Sequence, residues 1–446
     1  MVSIMIDYSL LKKLASAQGV APAELLALAP QNDPFYVGAK GQLEKGKWFA
    51  SIYQAMGSPQ KCHIRRVHYW LVTTKAVPKL NGQPYQNTQN DWCILNLGAK
   101  YARYLGLVSI ENIIDRRNPE PLIHAHHWQH QRASDIRDGI DEDNIIRSIV
   151  DQFVAFNPSK TQSHMIELWA EKSTMNDVLE PICRRYGLNL VTGLGELSIT
   201  AVYLLAKRII QSQKPVRIFY ISDFDPAGES MPLAVSRKIE YFARNYHQLE
   251  QADIKLIPLM LTSQQCKDYD LPRTPIKETE KRKDKFEDRH GIGATELDAL
   301  EALHPGEMSR IITQAVEEYF DTNSWNAAIQ KNRELQAYVR AYLVGGECPE
   351  CEGTSVFDSE YNCQTCQSKG YVEGKIGTDI LTALDTSQFD SYTPPSSPLG
   401  FDPCAPCLYD SSLEYVPQIE RYRAHKSQGS GGNDSDTVDL DLFKEE

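Results

Sequence analysis

The sequence predicts a multidomain α/β chain: a basic helical domain, a parallel-sheet domain after it, and a small cysteine-rich module near the C-terminus. Three observations carry that expectation. The chain has 446 residues, too many for a single compact core. Between residues 164 and 262, short apolar runs alternate with amphipathic stretches, the pattern of strands buried on both faces and covered by helices. Six of the ten cysteines fall in Cys-x-x-Cys pairs towards the C-terminus.

Composition narrows the class. No apolar run approaches the ~20 residues that span a bilayer. The N-terminal MVSIMIDYSLLKKLA lacks the charged start, apolar core and small-residue cleavage site of a signal peptide, so a cytoplasmic protein is expected. A net charge of −12 does not advertise nucleic-acid binding. Residues 61–118, however, hold nine Lys/Arg against three acids. A basic domain inside an acidic chain points to DNA, although a solvated face accounts for the same charge.

The elements follow in order. Residues 1–60 form an N-terminal helical segment, with helical spacing over 8–29 and 40–57. Residues 61–150 are expected to form a winged-helix-like domain. They contain the apolar VHYWLVTT, a turn at Asn81-Gly82 and Pro84, a helix near Asp91–Leu105, and LVSIENIIDRRNP. The histidines 124, 126, 127 and 130 sit in a polar bridge and read better as linker than as an ion site. Residues 160–340 form the sheet domain with a helical extension. Strands are expected at HMIELWAEK, LNLVT, VRIFYISDFD and IKLIPLML, and helices at TMNDVLEPICRRYG, SITAVYLLAKRIIQ and GESMPLAVSRKIEYFARN. Residues 346–373 hold the paired cysteines. Residues 374–446, rich in Pro, Ser, Asp and Gly, are expected to be a low-order tail with six acids from Asp434 onward.

Two of the predicted strands end in acids. Glu171 ends the first, and Asp223 and Asp225 end the third. The carboxyl ends of parallel strands open onto the ligand crevice. Residues two apart on an extended strand point to the same side. Three gathered carboxylates call for a divalent cation, and oxygen donors suit Mg2+, the ion that phosphoryl transfer uses. Helix capping explains the same acids more plainly, with Asp225 before Pro226-Ala-Gly as an N-cap.

This segment resembles a Toprim domain, a Rossmann-like parallel sheet with one strand ending in Glu and another in Asp-x-Asp. It is most similar to topoisomerase VI A subunits and their meiotic break-forming relatives, at motif level over residues 61–320. Their Asp-x-Asp-x-x-Gly is matched by Asp223-Phe224-Asp225-Pro226-Ala227-Gly228. Their Glu-x-x-Ala-Leu stretch is matched by Glu296-Leu297-Asp298-Ala299-Leu300. Gly193-Leu194-Gly195-Glu196-Leu197-Ser198 resembles the glycine-serine turn of bacterial Toprim proteins. The family's tyrosine motif, Arg-x-x-[Phe/Tyr]-Tyr, is matched by Arg65-Arg66-Val67-His68-Tyr69, with His68 as a departure.

The resemblance implies a catalytic set of Tyr69, Arg65, Glu171, Asp223 and Asp225. Tyr69 would attack the DNA backbone to give a 5′-phosphotyrosyl link, Glu171, Asp223 and Asp225 would hold Mg2+, and Arg65 and Arg66 would contact phosphate. It also implies a homodimer with composite sites. No Walker-type phosphate loop is present, so strand passage would need a separate ATPase partner. A tyrosine hydroxyl with a pKa of ~10 needs activation, which a neighbouring Arg or His could supply. Three alternatives stand beside this. Tyr69 fits a core position in its apolar stretch. A Toprim nuclease of a mobile element or defence system would use metal-activated water. A non-catalytic DNA-binding protein would keep only the fold.

Cys348-Pro-Glu-Cys351 and Cys363-Gln-Thr-Cys366 are separated by eleven residues. Two such knuckles complete a tetrahedral, structural Zn2+ site, so a zinc ribbon is expected. A redox pair is the competing reading. Cys404 and Cys407 form a lone pair for which no role is expected.

Overall fold

The computed structural model describes residues 8–114, 121–123, 158–193, 199–347, 356–357, 361–362, 371–373 and 407–427. The first of these stretches is mainly helical: α1 is Tyr8–Gln18, α2 Lys40–Ala55, α3 Ile64–Thr74 and α4 Gln89–Tyr104. Pro22 opens a separate short turn, so the helical spacing seen over 8–29 is not one helix. The apolar VHYWLVTT lies within α3. His63 starts that helix by accepting the Arg65 amide through Nδ1, and Lys75 ends it in the left-handed region. Trp48, Phe49, Ile52, Val67, Leu71 and Leu95 close one core between α2, α3 and α4. β1 (Cys62–His63) precedes α3, β2 (Ile113–Ile114) follows α4, and the two pair in parallel. Thus α2, placed by sequence in the segment 1–60, packs with the domain after it. Histidines 124, 126, 127 and 130 lie outside the described residues.

The α/β region forms a mixed fold around a small open sheet. Its parallel strands are β3 (Met165–Ala170), β4 (Asn189–Thr192), β5 (Val216–Ile221) and β6 (Ile254–Met260). The helices between them are α5 (Asn176–Tyr186), α6 (Ile199–Ser212) and α7 (Pro226–Asn245). Every residue of β3, β4 and β5 is buried, as a sheet covered on both faces requires. Alternation divides the core. Trp169, Ile218 and Tyr220 face α6 and α7, while Leu168, Phe219 and Ile221 face α5 and the helices that follow the sheet. Those helices are α8 (Ser263–Asp268), α9 (Lys283–His290), α10 (Leu297–Leu303), α11 (Glu307–Glu317) and α12 (Thr322–Val344).

After α12, β7 (Gly345–Glu347) pairs antiparallel with β10 (Tyr371–Glu373), and β8 (Val356–Phe357) with β9 (Tyr361–Asn362). Cys348, Cys351, Cys363 and Cys366 lie outside the described residues.

The expectation of a low-order tail over 374–446 is corrected for residues 407–427. β11 (Tyr409–Asp410) adds antiparallel to the edge of β6, giving the order β11-β6-β5-β3-β4. α13 (Tyr415–Ser427) then buries Tyr415, Ile419 and Tyr422, which recur at helical spacing. The N-terminal segment packs nearby. Buried Asp33 accepts the Nε of buried Arg237 at 3.0 Å; Arg237 also donates to Glu240 at 2.7 Å and to the Tyr415 hydroxyl. The Arg237 guanidinium lies 4.0 Å from the Phe35 ring centroid. One arginine of α7 therefore joins both terminal segments to the sheet domain.

Candidate functional site

Register assembles the site. Ala170 of β3 pairs with Ile221 of β5, so the two strands end level, and the Glu171 amide continues the ladder to the Ile221 carbonyl at 3.0 Å. The next residues of β5, Ser222 and Asp223, therefore emerge beside Glu171. From there the chain turns directly into α7. Asp225 caps that helix, its Oδ1 accepting the Gly228 amide at 2.6 Å. A Cβ on Gly228 would lie 2.0 Å from the Asp223 carbonyl oxygen, so the turn admits only glycine there. The loop before α10 closes the other side. Phe224 and Thr295 exchange backbone hydrogen bonds of 2.8 and 3.0 Å, and the Leu297 amide donates to Asp223 Oδ1 at 2.8 Å.

Lys172 and Glu296 complete this arrangement. The Lys172 ammonium lies 2.6 Å from Asp223 Oδ2 and 3.0 Å from Glu296 Oε2. Burial works against that ammonium, but its bonds to Asp223 and Glu296 outweigh it and hold its pKa above the usual lysine value. Glu171 is treated oppositely. Burial, then the charges of Asp225 and Asp223, push its pKa up to about 7, with Lys172 only partly opposing them. Its Oε2 is buried without a hydrogen-bond partner. Asp225 is also raised, chiefly by burial, with the Gly228 amide pulling the other way.

The structure thus brings Glu171, Asp223 and Asp225 together. The capping role weighed for Asp225 is real, and it coexists with membership of the cluster. Among the described residues no three His, Cys, Asp or Glu side chains converge closely enough to hold a metal ion as they stand. The donor set nevertheless fits a hard divalent cation: all oxygen, gathered at a strand edge, with one carboxylate oxygen short of a partner. No family model matches the chain, and no curated protein is significantly similar to it. Among the described residues no helix is long and apolar enough to cross a membrane.

The tyrosine motif lies elsewhere, on α3, whose core is separate from the two sheet cores. Tyr69 is 60% exposed, which excludes the core position weighed for it, and Arg65 and Arg66 are exposed as well. One turn apart on a helix, Arg65 and Tyr69 share a face. His68 points inward. Its Nδ1 meets the Tyr85 hydroxyl at 2.7 Å and its Nε2 meets Asn87 Oδ1 at 3.1 Å. Both ring nitrogens are engaged, so His68 supports the helix and is no base for Tyr69; its ring packs edge-on 5.1 Å from the tyrosine.

Sequence reasoning gave no role to Lys172 or to Glu296, although Glu296 opened a matched stretch. The signal for Lys172 was its place directly after Glu171. Cys407 is buried and its sulfur accepts from Arg421 Nη1 at 3.0 Å, which gives it a packing role; Cys404 lies outside the described residues.

Proposed function

We propose that the chain is a magnesium-dependent DNA-cleaving protein whose Toprim-like sheet resembles that of topoisomerase VI A subunits. The observation that carries this reading is the level ending of β3 and β5, which gathers Glu171, Asp223 and Asp225 and leaves a buried oxygen of Glu171 without a partner. Bound there, Mg2+ supplies a polarised phosphate and a stabilised 3′ leaving oxygen. Tyr69, on an exposed helix face with Arg65, is the nucleophile. Its hydroxyl oxygen bonds to phosphorus, the bond to the 3′ oxygen breaks, and the phenolic proton passes to solvent. Arg65 and Arg66 hold the phosphate.

Tyr69 sits on α3, whose core is distinct from the two cores of the sheet, which accords with a composite site completed by a second copy of the chain. The order helix, strand, helix, helix, strand over α2 to β2 accords with a winged-helix-like DNA-binding domain, though its strand pair is parallel. β7 ends directly before Cys348 and β9 directly before Cys363. Two short antiparallel pairs at these places suit a zinc ribbon that stabilises the module. Strand passage would still require an ATPase partner.

One observation favours a second reading. His68, with both ring nitrogens engaged, offers Tyr69 no base, whereas a water activated by a cation on the carboxylates would need none from α3. That reading is a Toprim nuclease without a covalent intermediate. The two separate on a denaturing gel of purified protein, internally labelled supercoiled plasmid and Mg2+. The tyrosine mechanism gives protein attached to 5′ ends and loses all cleavage in Tyr69→Phe. Cleavage that persists in Tyr69→Phe leaves the nuclease. If Asp223→Ala changes no activity, the cleavage reading fails altogether.

A further inference from the structure

The carboxylate site already contains a cation of the protein's own. The Lys172 ammonium bridges Asp223 and Glu296, and its side chain keeps 28% of its surface in solvent. The other partners of the cluster are fixed. Asp223 Oδ1 receives the first amide of α10, and Asp225 Oδ1 receives an amide in the first turn of α7. Neither amide can leave without unwinding a helix start. Lysine is different, because its charge rides on a flexible four-carbon stem. A divalent ion that takes Asp223 Oδ2 must therefore displace the ammonium.

We propose that Lys172 is the resident counter-ion of this site, displaced from Asp223 when a divalent cation binds and then free to donate to a phosphate oxygen of the bound DNA strand. This rests on the reading of the carboxylates as a metal site. The switch needs no movement of the backbone. Glu296 keeps the lysine at the mouth of the site after Asp223 is surrendered. The same side chain thus guards the empty site against charge repulsion and serves substrate in the filled one.

The test measures Mn2+ binding to the full chain by electron paramagnetic resonance, without DNA. Lys172→Met is expected to bind Mn2+ about tenfold more tightly than wild type, since no ammonium competes for Asp223. Lys172→Arg, which keeps the charge, should stay close to wild type. With Ca2+ in place of Mg2+, Lys172→Met should bind DNA less tightly and Lys172→Arg should not. A second measurement needs no variant: reductive methylation of Lys172 in the wild-type protein, followed by mass spectrometry, should accelerate when Mn2+ saturates the site. Equal or weaker Mn2+ binding by Lys172→Met, tighter binding by Lys172→Arg, or labelling indifferent to Mn2+ overturns the proposal alone. A wild-type chain that binds no Mn2+ overturns the metal site and this proposal with it.

Discussion

Two glutamates on one strand path meet opposite fates. Glu167 lies within β3 and Glu171 just beyond its end. Glu167 is fully buried, yet it receives Arg208 Nε at 2.7 Å, Arg208 Nη2 at 2.8 Å, Asn189 Nδ2 at 2.9 Å and Trp169 Nε1 at 2.8 Å. Burial opposes its charge, but Arg208 and these bonds prevail and its pKa falls below the usual value. Glu171 is less deeply set, faces two like charges and keeps an unpartnered oxygen. An acid that the fold satisfies completely serves the fold. An acid that the fold gathers with others and leaves short of partners stays open to a further donor.

The sharpest way to break this comparison is Glu167→Ala, which strands the buried Arg208 charge. A loss of about 3–5 kcal/mol is expected in urea denaturation. A loss near zero would mean that Arg208 reaches water.

Next comes the pH dependence of Glu171→Gln. In the folded, cation-free protein Glu171 holds its proton up to about pH 7, against an ordinary value of 4.5. Between those values the folded state binds more protons than the unfolded one, so its contribution to stability declines as pH rises and stays lost above 7. Glu171→Gln removes this penalty. It should match wild type at acid pH and exceed it at pH 8 by up to about 3 kcal/mol. Mg2+ should narrow the gap by stabilising wild type alone. Glu167 has the opposite sign: its contribution is present above the ordinary carboxylate value and is lost on acidification. A difference between Glu171→Gln and wild type that ignores pH would erase the contrast.

The smallest expected effect is at Tyr69. Tyr69→Phe removes an exposed hydroxyl and should change stability by less than about 0.5 kcal/mol, measured by thermal melting, while abolishing any covalent DNA adduct. A large drop would make Tyr69 structural.

Much of this was legible in the sequence. The strands at Met165–Ala170, Val216–Ile221 and Ile254–Met260 announced themselves as apolar runs, because a doubly covered sheet has no polar face to interrupt them. The acids at their ends stood out for the same reason. Lys172 did not, since its partner Glu296 is brought in by the backbone pairing of Phe224 with Thr295, which leaves no trace in local pattern. The orientation of α3 was readable in principle: at helical spacing Val67, His68 and Leu71 share the buried side, while Arg65 and Tyr69 share the exposed one. Taking the segment as merely apolar hid this. Tyr415, Ile419 and Tyr422 were obscured by the Pro- and Ser-rich sequence before them, although their spacing is helical.

The buried Arg237 sets a condition on how the chain matures. Its partners Asp33 and Tyr415 stand nearly four hundred residues apart, so the N-terminal half of the arrangement is synthesised long before the C-terminal half. While the ribosome still holds residues beyond 406, β6 has a bare edge and Arg237 lacks its tyrosine. A chain cut before residue 407 would keep Glu171, Asp223 and Asp225 and yet leave α7 without the packing of Tyr415, Ile419 and Tyr422.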